Sequence, residues 1–316
     1  MSKKKLTNQQ KMRIERKHQS LDAHHLLKGL VITRGKNQAL IESLDDKQEM
    51  LCNIRPDIRS LVVGDKVLWQ KITDEQGVVE SVLPRQSELG RPDRYQHYKI
   101  LAANITQMIS VVAPKPIFSE LLIDSYLVVA ALLNIQVSLI FNKADLDDAE
   151  KSLEKSLRQT YAPLVDHFIT HSQVSPNQAG IEKILENQTS VFVGQSGVGK
   201  STIIQWLLPH QNIMTSPLSA THEFGQHTTS SAYYFHLPQS GAIIDSPGVR
   251  SFGLWQVSPQ DLIWGFKEFR PFIGLCKFRD CDHIQSPHCA LRKAVEDKTV
   301  SELRYQNYIK LLDQTK

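Results

Sequence analysis

Two strings in this chain carry residue types that could act on one nucleotide, and they stand in an unusual order. "VFVGQSGVGKST" carries G-x-x-x-x-G-K-[ST] from Gly194 to Ser201, and "SLIFNKADL", about 50 residues earlier, carries N-K-x-D. The first follows an apolar strand and opens the helical "TIIQWLL". In that setting glycines let backbone N–H groups close around phosphate oxygens, and the helix N-terminus adds positive potential. Gly194, Gln195, Ser196, Gly197, Val198, Gly199, Lys200, Ser201 and Thr202 are therefore expected to bind nucleotide, with Lys200 on the β- and γ-phosphates and Ser201 on Mg²⁺. In the second string, Asp145 can accept from the N1–H and exocyclic amine of guanine and would repel the acceptor N1 of adenine, which selects GTP over ATP. Asn142 is expected at the other edge of the base, with the Lys143 stem across the nucleotide plane.

Two further strings fit the same site. "AIIDSPGV" places Asp245 and Gly248 in D-x-x-G at the end of an apolar strand, Asp245 to reach Mg²⁺ through water and the Gly248 N–H to sense the γ-phosphate. "GQHTTSS" offers Thr228 and Thr229, either of which could complete the metal shell; Thr229 is the working choice. Separately, Cys276, Cys281, His283 and Cys289 form C-x4-C-x-H-x5-C. Three thiolates and one imidazole suit a closed tetrahedral Zn²⁺ site, structural because no position is left for water. Such clustering points to metal more than to disulfide. His288 is a competing imidazole, but its neighbour Cys289 would give it a strained bite.

The elements that must position these residues fall into distinct textures. The chain has 316 residues and a net charge of +4, yet residues 1 to 17 alone hold seven Lys/Arg against one Glu, net +6, leaving about −2 elsewhere. This leader is either solubilising or a phosphate-seeking arm. It has no apolar stretch after it and no run long enough to span a bilayer, which gives the expectation of a cytoplasmic protein with no membrane partner. From 28 to 83, five short alternating runs predict a small β-module of OB type. "LPRQSELGRPDR" reads as a linker. From about residue 99, strands and helices alternate, which predicts a mostly parallel sheet covered on both faces. Beyond Trp255 the pattern is helical, with a Thr299–Glu302 capping box opening the last helix. The expected division is a basic tail (1–25), an OB-fold barrel (26–98), an α/β P-loop domain (99–256) and a helical zinc-binding domain (257–316).

The reversed order of the two strings has a physical explanation. A parallel nucleotide-binding sheet can be cut at one loop and rejoined at its original ends without losing its core, since chain termini often lie close together. With "NKAD", "GQSGVGKST", "GQHTT", "DSPGVRSFGLW" and the Cys/His cluster in that order, the chain resembles the RsgA family of circularly permuted GTPases over nearly its whole length. The resemblance implies GTP/GDP with Mg²⁺ as ligands, one structural Zn²⁺, and GTP hydrolysis stimulated by the 30S subunit and its rRNA in late small-subunit maturation. A monomer is expected. The family's guanine-capping loop falls after "HFIT", with Ser172 as its candidate, and Ser230 departs from the family's run of threonines. Val249 stands where many related GTPases place a water-orienting glutamine; His227 is the nearest polar substitute and the expected catalytic residue, as the resemblance also implies. The competing readings are a metabolic P-loop enzyme acting on a small molecule and a passive RNA-binding protein.

Overall fold

The computed structural model describes residues 26–58, 60–92, 98–148, 150–209, 232–245 and 257–315. Alternation in the first third builds five strands: β1 (Leu27–Arg34), β2 (Gln38–Ser43), β3 (Glu49–Ile54), β4 (Lys66–Lys71) and β5 (Gln76–Val82). They close in the order β1-β2-β3-β5-β4 and back to β1, with β3 parallel to β5 and the other neighbours antiparallel. This is an OB barrel. Val31, Ile41, Cys52, Val67, Trp69 and Val79 point inward and fill it.

The stretch read as a linker is structured. Glu88–Pro92 forms β6 and pairs antiparallel with β7 (Tyr98–Ala103), so a hairpin straddles the expected boundary at residue 98. Leu89 is buried in the central core, and Arg85 lays its guanidinium Nε 2.6 Å from the buried Asp65 carboxylate. Gly, Pro and Arg in the stretch hide a strand that has one large apolar anchor.

The central sheet contains β8 (Gln107–Val112), β9 (Gln136–Phe141), β10 (His167–Thr170), β11 (Thr189–Val193), β12 (Tyr233–His236) and β13 (Ala242–Asp245). Their order is β10-β9-β8-β11-β13-β12, parallel except for β12. Side chains alternate between faces as the pleat requires. Met108, Val112, Leu139, Val191 and Val193 meet helices α1 (Glu120–Leu133) and α2 (Ser152–Tyr161) on one face. Ile109, Val111, Ile140 and Phe192 meet α3 (Gln178–Leu185) and α4 (Lys200–Leu207) on the other. The barrel adjoins this sheet through antiparallel pairing of β1 with β12, where the Thr33 hydroxyl donates to the Ala232 carbonyl at 2.9 Å and His236 Nε2 sits 2.7 Å from the Glu42 carboxylate.

The C-terminal module holds α5 (Pro259–Gly265), α6 (Ala290–Glu296) and α7 (Glu302–Gln314) around Phe266, Phe269, Leu291 and Tyr308. Its last helix starts differently from expectation. Ser301 is the N-cap, while the Thr299 and Val300 N–H groups bond back to the Ala294 carbonyl at 2.9 and 3.1 Å. Burial of Val300 draws that stretch onto the end of α6, so Thr299 cannot cap α7. Among the described residues no helix is long and apolar enough to cross a membrane.

One buried cluster joins this module to the sheet. Arg304 of α7 is 1% exposed and Asp124 of α1 is 0% exposed. The guanidinium NH1 donates to Asp124, its Nε donates to Glu268 at 2.7 Å, and the Asn307 amide donates to the other Asp124 oxygen at 2.7 Å. The Arg304 guanidinium also lies over the Phe266 ring, 4.5 Å from its centroid. A buried pair stripped of one partner leaves an uncompensated charge, which costs about 3–5 kcal/mol. Arg304→Met is therefore expected to lower the urea midpoint by a loss on that order, and Asp124→Leu combined with Arg304→Met to recover part of it. A single variant costing less than about 1 kcal/mol would show that the cluster holds nothing together.

Candidate active site

The site forms where the parallel strands end. Phe141 lies level with Val112 and with Thr170, and Val193 with Ser110, so the loops after β8, β9, β10 and β11 leave from one edge of the sheet. Asp245, buried at the end of β13, shares that edge because β13 runs parallel to β11. Ligands of open α/β sheets bind at this carboxyl edge.

The phosphate loop is built from backbone that only glycine accepts. Gly194 has φ +134°, and a Cβ there would fall 2.3 Å from the Val111 carbonyl oxygen. Gly199 has φ +99°, and its Cβ would meet the Asn142 amide at 2.2 Å. Lys200, the first residue of α4, is 7% exposed and folds its ammonium back over the loop, 2.7 Å from the Gly194 carbonyl and 2.6 Å from that of Gln195. Ser201 and Thr202 follow on the first turn of α4, at the positive end of the helix.

The base-reading turn docks directly on this loop. Asn142 donates from Nδ2 to the Val198 carbonyl at 2.8 Å, and Lys143 donates to the Gly197 carbonyl at 2.6 Å. The Asn142 amide thus also fastens the turn to the phosphate loop, through one of its two N–H groups, a task compatible with the expected contact at the base edge. Asp145 is exposed in a 3-10 turn spanning Ala144–Leu146, two residues after Lys143, which borders a cleft of about 600 Å³. Lys143, Gly194–Gly197 and Gly199–Thr202 line that cleft, together with Leu122 and Tyr126 of α1. The loop after β10 lies against the same turn, since the Ala144 N–H donates to the His171 carbonyl at 3.2 Å. Ser172 in that loop is buried, and its hydroxyl accepts from the Ser175 N–H at 2.9 Å. His227, Thr228, Thr229 and Gly248, like Val249 and the basic leader, lie outside the described residues.

A second assembly stands in the C-terminal module. The ligand atoms of Cys276, Cys281, His283 and Cys289 lie within 4.8 Å of one another. The Cys276 and Cys289 sulfurs are 3.9 Å apart, and each is 3.5 Å from His283 Nδ1. Tetrahedral Zn²⁺ with bonds of about 2.3 Å to sulfur and 2.05 Å to nitrogen requires separations of about 3.8 and 3.6 Å, so these three donors fit the ion, with Cys281 in the same cluster as the fourth. His288 is not part of the cluster. Four supports of this cluster do not follow from the ligand spacing. The Ala290 and Arg292 N–H groups donate to Cys276 and Cys289 at 3.3 and 3.5 Å, and the Tyr305 hydroxyl donates to the His283 carbonyl at 2.7 Å. Asp282 accepts from the backbone of Ile284, Gln285 and Ser286 at 2.9–3.0 Å, which folds the loop between two ligands; those bonds, Ser286 foremost, hold its carboxyl far below the usual range. The signal was present in "DHIQS", where an Asx turn is read easily once the neighbouring ligands are fixed.

A parallel sheet with a phosphate loop, and a base-reading turn that precedes it in sequence yet docks on it in space, defines a circularly permuted GTPase. The comparisons with known proteins narrow the class. The family model for RsgA GTPase matches residues 82–255. The chain is similar to the small ribosomal subunit biogenesis GTPase RsgA of Actinobacillus pleuropneumoniae serotype 5b (38% identical, covering 99% of this chain and 96% of the relative). It is similar to that of Mannheimia succiniciproducens as well (39%, covering 99% and 95%). Among solved structures it matches YjeQ from Thermotoga maritima with a TM-score of 0.77 at 28% identity, covering 92% of this chain and 98% of the other. The fold also matches YloQ, described as a circularly permuted GTPase, with a TM-score of 0.72 at 24% identity, covering 93% and 96%. The chain belongs to the RsgA GTPase family and hydrolyses GTP.

Proposed function

We propose that this GTPase binds the small (30S) ribosomal subunit and switches between GTP and GDP forms during late subunit maturation in the cytoplasm, acting as a monomer. The observation that carries the reading is the docking of Asn142 and Lys143 on the phosphate loop, which makes one nucleotide site from two strings 50-odd residues apart. The names of the relatives support the ribosomal partner. Labour divides along the chain: the basic tail (1–25) and the barrel (26–98) take RNA, residues 99–256 take nucleotide, and residues 257–316 present further cations such as Lys267, Arg270, Lys277 and Arg279.

In this reading the loop from Gly194 to Thr202 cradles the phosphates, Lys200 neutralises them, and Asp145 reads guanine. Ser172 belongs to the loop that closes over the base. Ser201, Thr229 and Asp245 hold Mg²⁺, which supplies charge neutralisation at the β- and γ-phosphates when bound. His227 orients the attacking water, since Val249 leaves the usual position without a polar group, and Gly248 senses the γ-phosphate. Zn²⁺ on Cys276, Cys281, His283 and Cys289 is structural: four protein ligands close its shell.

GTP turnover measured with and without 30S subunits tests the function. Slow intrinsic turnover that rises at least tenfold with subunits is expected; equal turnover, with no co-sedimentation in either nucleotide state, favours the metabolic-enzyme reading. Asp145→Asn should weaken GTP and favour xanthosine triphosphate, whose reversed hydrogen-bond pattern suits an amide; an unchanged preference in competition binding refutes the assignment. For the metal, one zinc per chain is expected by elemental analysis. Cys281→Ser should lose it together with near-ultraviolet signal from the tyrosines of α7, and full zinc in that variant contradicts the ligand set.

A further inference from the structure

The strand beside Asp245 is held from outside by the barrel. β12 lies between β13 and β1 in the sheet order, so among the described residues a barrel strand is its outer neighbour. One register line crosses all three: Thr33 of β1 stands opposite Tyr233 of β12, and Tyr233 opposite Asp245 of β13. Two strand spacings, about 10 Å, therefore separate the barrel from the carboxylate proposed for Mg²⁺. Because β12 runs antiparallel to β13, it starts at the carboxyl edge where Asp245 ends its own strand.

The barrel grips β12 at both ends. At the carboxyl edge Thr33, 5% exposed, donates its hydroxyl to the Ala232 carbonyl at 2.9 Å, on the residue just before the strand and three positions after Thr229. At the far end, where His236 faces Ala242, His236 Nε2 sits 2.7 Å from the Glu42 carboxylate. The buried apolar clusters on the two sides are separate: Val31, Ile41 and Val67 fill the barrel, Phe235 and Ile243 the sheet. A second joint lies elsewhere. The Ala103 N–H donates to the Val63 carbonyl at 3.0 Å, the Asn104 amide to that of Gly64 at 2.8 Å, and Val63 is buried in the central core. The barrel is therefore anchored without the Thr33 hydroxyl.

We propose that Thr33 is a positioning residue for subunit-stimulated hydrolysis: its hydroxyl ties the barrel to the entry of β12, so that a barrel fixed on RNA fixes the strand beside Asp245. The inference rests on the ribosomal reading above. With no subunit bound, the barrel can follow small shifts of β12, and the bond constrains little. With the barrel fixed on RNA, the same bond holds β12 against a stationary support. Loss of the hydroxyl then acts mainly on stimulated turnover. Neither Thr33 nor Ala232 lines the nucleotide cleft, so nucleotide affinity is left intact.

The test is Thr33→Val, which keeps the β-branched shape and removes the donor, beside Thr33→Ser, which keeps the donor. Full zinc-loaded chains are compared in GTP turnover with and without 30S subunits, in fluorescent GDP titration, and in co-sedimentation with subunits and a GTP analogue. Thr33→Val is expected to lower the stimulated kcat by about three- to tenfold, the range set by one hydrogen bond, while intrinsic turnover, GDP affinity and co-sedimentation stay within about twofold of wild type. Thr33→Ser is expected to retain at least about half of the stimulated rate. An unchanged stimulated kcat in Thr33→Val overturns the proposal. So does an equal fall with and without subunits, which makes Thr33 a structural residue of the sheet, and so does lost co-sedimentation, which makes it part of the RNA contact. If Thr33→Ser falls as far as Thr33→Val, the hydroxyl is not the cause and the proposal fails. Should Thr33→Val not fold, Thr33→Ala is judged by the same comparison. Wild-type turnover that does not rise with subunits discards the ribosomal reading instead, a result seen before any substitution is made.

Discussion

The nucleotide site depends on the contact between two stretches of backbone that the chain order sets apart: the turn after β9 and the loop after β11. The Asn142 amide and the Lys143 ammonium occupy the consecutive carbonyls of Val198 and Gly197. Lys200 occupies those of Gly194 and Gln195. A carbonyl and the N–H of the next residue point in opposite directions across a planar peptide, so fixing these oxygens turns the following N–H groups the other way. The loop becomes a concave set of donors because its acceptors are already used, and such a nest of N–H groups favours an anion.

Around that contact the modules share structure. The barrel meets the sheet through β1 and β12, and the Asn104 amide also reaches the Gly64 carbonyl at 2.8 Å. The C-terminal module meets it through α1, where apolar packing of Val128 surrounds the Asp124–Arg304 pair. Desolvation offsets much of the attraction in a buried pair of this kind, so removing one partner costs more than replacing both. The same helix carries Leu122 and Tyr126 to the lining of the cleft, so one element both seats the zinc module and walls the nucleotide site.

Much of this was legible in the sequence, for reasons that can be named. Barrel strands such as "QALIES" and "DKVLWQKI" alternate because one face is dry and the other wet, and the mostly apolar run of β8, broken by Ser110, reflects a strand buried on both faces. The residues 88–92 were misread because a short strand with a single deep anchor, Leu89, has too few positions to show a period. The Thr299–Glu302 box failed because its spacing is local, whereas the start of α7 is decided by the burial of Val300. The second partner of Asn142, the Val198 carbonyl, is not legible in the sequence, because it lies 56 positions away on another loop.

By itself the sequence determined the chemistry available: glycines where backbone must approach phosphate, a lysine and a hydroxyl beside them, an aspartate able to select guanine, and four ligands at zinc spacing. It also determined that the domain is permuted, since motif order is a property of the chain. Only the tertiary structure decided that Asn142 and Lys143 fasten one motif to another, that Tyr126 lines the cleft beside the phosphate loop, and that Arg304 crosses 180 positions to meet Asp124. The physical reason is range. Phosphate cradling and metal ligation need residues close together in the chain, and spacing records them. Contacts between distant segments are fixed by packing, and no local pattern holds them.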